Sequence, residues 1–336
     1  MRRLRYLLWL VGLMLYAGAT PAAAQTIAIQ SITALALGNV AAATSGLTTF
    51  TINPSTGAVT KTGGGARITT TTPVRFTVTV RCTGTVAQCD GATVNVRVGN
   101  TGTSTLRADP MVNFTVASGT ATLVSAPAAG SPISFQLQPI GRNVNKTFFV
   151  GGDLPVEGDE SAAASGAATS QINVRVSVAP APPATPGTDS NATMTVYRSL
   201  KITKVSDLNF GSILKPTATG GNILVNATTG ARTKSAGDAV LIGTAASRAQ
   251  FTVDGEGGRV IGISVSPANP VTLTRVGGSQ TLALTWTRSP TGNLTLSGAA
   301  GAAGTGTFGI GGSIPLTTTT TTGQYNGTIN ITFNYN

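Results

Sequence analysis

Few side chains in this sequence could do covalent or acid–base chemistry, and their spacing limits what that chemistry would be. There is no histidine, so Ser-His and Cys-His nucleophile pairs lack their base. Cys82 and Cys89 stand close together in RCTGTVAQCDG. Two thiols without histidine do not complete a four-ligand zinc site, and in an exported chain such a pair predicts one disulfide across a loop. Carboxylates cluster in DLPVEGDES, where Asp153, Glu157, Asp159 and Glu160 could be weighed as a weak calcium site. Calcium takes about six to eight oxygen ligands, which a solvated loop of this kind does not supply. Asp254 and Glu256 share one tight turn, whereas glycoside hydrolysis needs carboxyls facing across a cleft. GGGAR and GEGGR are glycine-rich turns without a following helix, so neither reads as a phosphate loop. The sequence therefore predicts no catalytic residue, no cofactor and no metal site.

The elements around these residues read as exported and all-β. MRRLRYLLWLVGLMLYAGATPAAAQ has three early arginines, an apolar run and Ala22-Ala23-Ala24 before Gln25. That is the layout of a signal peptide over residues 1–24. No cysteine follows the cleavage site and no second long apolar stretch occurs, so no membrane span is expected after cleavage. Charged residues are 10% of the chain, against about 25% in ordinary domains, while Gly, Thr and Ser abound. Short runs of Val, Ile, Thr and Phe broken by Gly, Asn and Asp favour strands and turns. Three of the formal +11 charges belong to the signal arginines. The remaining basic residues, such as Arg67, Arg97, Arg175 and Arg259, are scattered singly, without the clusters and interleaved aromatics of a nucleic-acid groove.

The chain also resembles itself. Ile27, Ile29, Ile32, Leu35, Leu37, Gly38 and Val40 match Leu200, Ile202, Val205, Leu208, Phe210, Gly211 and Ile213 at an offset of 173. NPSTGAVTK from Asn53 continues at the same offset onto NATTGARTK from Asn226. PVRFTV ending at Val78 then meets RAQFTV ending at Val253, two residues further out. TFFVGGDLPV from Thr147 lies on TFGIGGSIPL from Thr307, and INVRVSV from Ile172 lies on INITFNY from Ile329. Two copies of one domain are predicted, residues 25–178 and 193–336, joined by a Pro-rich spacer over residues 179–192. Each copy should be an antiparallel β-sandwich of immunoglobulin type with about seven strands. TLALTWT puts Leu282, Leu284 and Trp286 on one face, which makes Trp286 a core residue more than a sugar-stacking platform.

LNFGSI, NATTGARTK, AQFTVDGEGG, GTFGIGGSIPL and GQYNGTINITFNYN together resemble a bacterial exported family known as domain of unknown function 4402. The likeness is good over residues 200–336 and weaker, through the internal repeat, over 27–178. It implies an exported, pilin-like or adhesin-like β-sandwich and transfers no catalytic residue. The last strand carries a second resemblance, to subunits of chaperone–usher pili. Those end with a penultimate aromatic, alternating apolar residues before it and a glycine fourteen places from the end. Here these are Tyr335, then Phe333, Ile331 and Ile329, then Gly323, with Tyr325 on the same alternation.

That resemblance implies a groove beside the last strand, filled by a periplasmic chaperone and then by a like subunit's extension through β-augmentation. QTIAIQSI, with Ile27 and Ile29 alternating, is the candidate donor strand. The competing reading is a sandwich closed by its own first strand, in a secreted or surface binding module for a glycan or protein ligand. Both place the protein in the periplasm, on the cell surface or outside the cell.

Overall fold

The computed structural model describes residues 26–69, 71 and 74–336. The expected signal segment, residues 1–24, lies outside them. The protein is all-β, and its strands follow the alternation of Val, Ile, Thr and Phe.

The first unit holds β1 (Ile27–Thr33), β2 (Ala36–Ala41), β3 (Thr48–Ile52), β4 (Val59–Thr62), β5 (Ala66–Arg67), β6 (Phe76–Cys82), α1 (Val86–Asp90), β7 (Val94–Ser104), β8 (Val112–Ser118), β9 (Ile133–Leu137), β10 (Asn145–Val156), β11 (Gly166–Val178) and β12 (Thr188–Tyr197). One sheet runs β1-β6-β10-β3-β4, with β8 also on β10; the other runs β5-β2-β12-β11-β7-β9. In β6 the alternate residues Phe76, Val78, Val80 and Cys82 are fully buried, as a strand with one core-facing side requires. The sheets close over one continuous core from Ile27 to Val196, in which Phe135 of β9 meets Phe148 of β10 edge-on at 5.5 Å.

Cys82 ends β6 and Cys89 sits on α1, and the two are bonded. The short helix starts at a capping box, the Thr85 hydroxyl accepting from Gln88 N and the Gln88 amide oxygen from Thr85 N. Closing a loop this short removes limited chain entropy. Replacing both cysteines by serine is expected to cost about 2–3 kcal/mol, and only in the first unit, as urea unfolding would measure.

The second unit holds β13 (Lys201–Ser206), β14 (Ser212–Leu214), β15 (Gly221–Val225), β16 (Arg232–Lys234), β17 (Val240–Ile242), β18 (Ala249–Glu256), β19 (Val260–Ser266), β20 (Val271–Arg275), β21 (Thr281–Ser289), β22 (Leu294–Thr295), β23 (Ala303–Leu316), β24 (Tyr325–Asn326) and β25 (Asn330–Tyr335). Its core is divided into two smaller clusters, with Trp286 half-buried against both and its indole N–H donating to Pro267 O at 3.2 Å.

Local geometry recurs between the units. Asn53 Oδ1 accepts from the amides of Ser55 and Thr56, and Asn226 Oδ1 from those of Thr228 and Thr229. A Cβ on Gly151 would run into the carbonyl of Ile52, and one on Gly311 into that of Val225, so both long strands need glycine where a neighbouring backbone crosses close by. Arg75 reaches the carbonyls of Pro54 and Ser55, and Arg248 those of Ala227 and Thr228.

Two sequence expectations are corrected by this geometry. Phe76 pairs with Val150 and Ala249 with Ile310, so the offset stays at 173 through β6 and β18. The matching FTV triplets are out of register by two. Residues 179–192 are not a spacer between domains either. Residues 179–187 connect β11 to β12, and 188–197 form a central strand of the first unit, antiparallel to β11 and parallel to β2. The prolines all precede β12, which leaves its ladder N–H groups intact. The chain passes between units over residues 198–200.

Candidate strand-acceptor groove

The two units have the same strand order apart from two features: β20 and β24 extend the second unit's first sheet beyond β21, and the first unit's β12 has no counterpart. In the first sheet, β1-β6-β10-β3-β4 corresponds to β13-β18-β23-β15-β16. In the second, β5-β2-β12-β11-β7-β9 corresponds to two separate ladders, β17-β14 and β25-β19-β22. Among the described residues no strand stands between β14 and β25, where the first unit has β12. Each of these two strands is hydrogen-bonded on one edge only.

A groove of about 1120 Å³ runs along that place. Residues 209–213 form one wall and 323–331 the other, with Phe251, Leu284 and Ile310 at its floor. Leu35, Leu37 and Val40 on the β2 side of the first unit are wholly buried at 0% exposure. Their counterparts Leu208, Phe210 and Ile213 are only half-buried. β1 lies against β11 and β12, and its residues Ile29 and Ile32 are half-buried. The matching Ile202 and Val205 on β13 are exposed, at 43% and 56%.

The terminal residues singled out from the sequence fall on this wall in different roles. Gly323 has φ +146°, and Gly166, at the matching place at the start of β11, has φ +135°. Tyr325 belongs to the short β24, paired with β20, and its hydroxyl donates to Thr321 O at 2.8 Å. It borders the groove and is not in either core cluster, so the expected single face from Tyr325 to Tyr335 is broken between Asn326 and Asn330. The matching β11 is continuous over 13 residues because it has partners on both edges. Ile329 and Ile331 are half-buried between core and groove, and Phe333 is buried against Phe308, edge-on at 5.5 Å.

The candidate donor is already in use. Ile27 is buried in the first unit's core, and β1 from Ile27 through Ile29 pairs with β6. It forms the edge of the opposite sheet, so neither unit is closed by its first strand; the first is closed by β12.

Tyr335 ties the groove wall to the junction between units. Its hydroxyl donates to Arg198 O at 2.9 Å and accepts from Glu256 N at 2.8 Å, and its ring lies 5.5 Å from that of Tyr197. Glu256, almost fully buried, accepts from Arg198 N and Gly301 N. Asp159 accepts from Ser199 N at 2.9 Å and pairs with the buried Arg107 at 2.5 Å. The junction backbone is thus held from both sides. Sequence alternation marked Tyr335 as core and missed these partners, which only the tertiary fold brings to it.

Burial, with Glu256 and Asp159 nearby, pushes the Tyr335 hydroxyl up to about 12 from its ordinary 10.0. A raised folded value gives stability that is complete below pH 10 and lost as pH rises to about 12. Tyr335→Phe leaves Arg198 O and Glu256 N unpaired and is expected to cost about 1–3 kcal/mol at pH 8. The loss should shrink between pH 10 and 12 in urea titrations of the two proteins.

The acidic loop does not converge on one point. Asp153 accepts from Thr51 Oγ1 and Asn113 Nδ2, Glu157 from Ser161 Oγ, and Glu160 from Gly46 N, while Asp159 serves the junction.

Residues 200–335 match the family described as Domain of unknown function (DUF4402). The DUF4402 segment takes in β13 to β25 and both groove walls. No curated protein matches the chain. Among solved structures, it is similar to a chain in the crystal structure of the CsuC-CsuE chaperone-tip adhesion subunit pre-assembly complex from archaic chaperone-usher Csu pili of Acinetobacter baumannii. The identity is 10%, over 90% of this chain and 99% of that one, with a TM-score of 0.24. A score of that size does not establish a shared fold. No helix among the described residues is long and apolar enough to cross a membrane.

Proposed function

We propose that the DUF4402 segment is an incomplete sandwich that takes an extended segment from another subunit between β14 and β25, and that the protein is an exported, non-enzymatic subunit of a surface fibre. The interruption of the sheet at the place of β12 carries this reading. An added strand would gain main-chain hydrogen bonds from two free edges and seat alternate side chains in the groove. Left open, the same edges and half-buried apolar walls invite aggregation, which is why a periplasmic chaperone is the expected first occupant. The first unit, already closed, needs no such partner and is free to present a ligand-binding surface.

β12 serves as the template for the occupant. Ala192, Met194 and Val196 point into the first unit's core, opposite Ser170, Ala168 and Gly166. The corresponding places opposite the groove wall are Gly327, Tyr325 and Gly323. A labelled peptide of residues 188–197 is expected to bind the full chain saturably in fluorescence anisotropy, antiparallel to β25. The same peptide carrying aspartate at the Met194 place should not bind, because it would bury an unpaired charge. Equal binding of both peptides, or of neither, would sink strand acceptance.

A further inference from the structure

The first unit carries a polar hollow on the outer face of its second sheet. Arg97 of β7 and Arg175 of β11 are direct partners in the antiparallel register. Both border a cavity of about 100 Å³ that Gly99, Asn100, Pro132 and Asn173 also line. Like charges directly opposite each other on neighbouring strands are destabilising. Neither arginine is in an ion pair among the described residues. Arg175 Nε donates to Asn173 Oδ1 at 2.8 Å, and Asn173 Nδ2 in turn donates to Asp189 Oδ1 at 2.6 Å. That carboxylate approaches from β12 but is in no ion pair with either arginine among the described residues. Asn100 Nδ2 is committed to Met111 O. The guanidinium of the half-buried Arg97 has no hydrogen bond or ion pair among the described residues.

We propose that this hollow binds one small oxyanion group, a carboxylate or a sulfate, between the guanidinium groups of Arg97 and Arg175. Guanidinium groups present planar, paired N–H donors that match both anions, and an anion between them cancels the repulsion built into the register. The cavity has room for about three water molecules, which is the scale of one such group and not of a sugar ring. The ligand is therefore a free anion or the charged substituent of a larger molecule whose remainder stays outside. Gly99 matters for shape. A Cβ there would come within 3.1 Å of Pro132 Cβ and take up part of the hollow.

The test uses the full chain. The Nε–Hε signals of Arg97 and Arg175 are followed by NMR during titration with sodium sulfate and, separately, sodium acetate, with sodium chloride holding the ionic strength constant; in Arg97→Gln the Arg175 signal is the one read. A saturable shift with either anion is expected, weakened about tenfold in Arg97→Gln and in Gly99→Ala. Gly99→Ala retains both charges, so its loss would separate a shaped site from general attraction to a basic surface. Lys201→Gln, which removes an exposed charge from the second unit, should leave the affinity unchanged. A response to sulfate alone would assign a tetrahedral group and a response to acetate alone a carboxylate. No saturable shift with either anion, or equal weakening by Arg97→Gln and Lys201→Gln, would overturn the site.

Discussion

Met194→Ala is expected to lower the unfolding midpoint of the first unit and leave that of the second unchanged. Met194 is 4% exposed on β12, opposite Ala168 of β11 and Gly38 of β2. Removing a buried methionine side chain leaves a cavity as well as losing transfer free energy, at a cost of about 2–5 kcal/mol. For a unit of this size that is a fall of roughly 5–15 °C in the first unit's transition of a two-transition calorimetric scan. The effect singles out β12 as the strand that closes the first sandwich. An unmoved midpoint would mean that closure does not depend on it.

Phe333→Ala is expected to have the opposite selectivity and the larger consequence. Phe333 is 8% exposed, edge-on to Phe308 at 5.5 Å and 6.1 Å from Phe251. Truncating a buried phenylalanine costs about 3–5 kcal/mol. The second unit divides its core into two clusters and leaves Leu208, Phe210 and Ile213 half-covered, so it has less to lose before it unfolds. The variant should retain the first unit's transition and show no cooperative transition for the second. A parallel shift of both transitions would mean that the units do not unfold separately.

Much of this was legible in the sequence. Period-two alternation located β21 and β25, and the offset of 173 paired Leu37, Gly38 and Val40 with Phe210, Gly211 and Ile213, the residues that became the groove's second wall. β12 was illegible for a physical reason. The alternation in NATMTVY follows a run of prolines that reads as linker, and a comparison between repeats cannot reveal a strand that only one of them has. The FTV triplets misled because residue identity is weaker evidence than the pleat: Phe76 and Ala249, unlike in size, occupy one ladder position. Ile27 and Ile29 show the same limit, since alternation marks a strand with one apolar face and says nothing of which edge it joins. Tyr335 kept its expected place at the end of the last strand, but its partners Arg198 and Glu256 come from the distant parts of the chain that folding brings beside it.

The most direct measurement on the central claim is amide hydrogen exchange along residues 323–335 of the full chain, with and without the peptide of residues 188–197. An open groove leaves β25 protected only where it is bonded to β19, with alternate amides exchanging fast, while β11 is slow along both edges. Adding the peptide should slow the fast amides of β24 and β25 and leave β11 unaffected. Uniform protection of β25 before any peptide is added, unchanged afterwards, would contradict an open acceptor site.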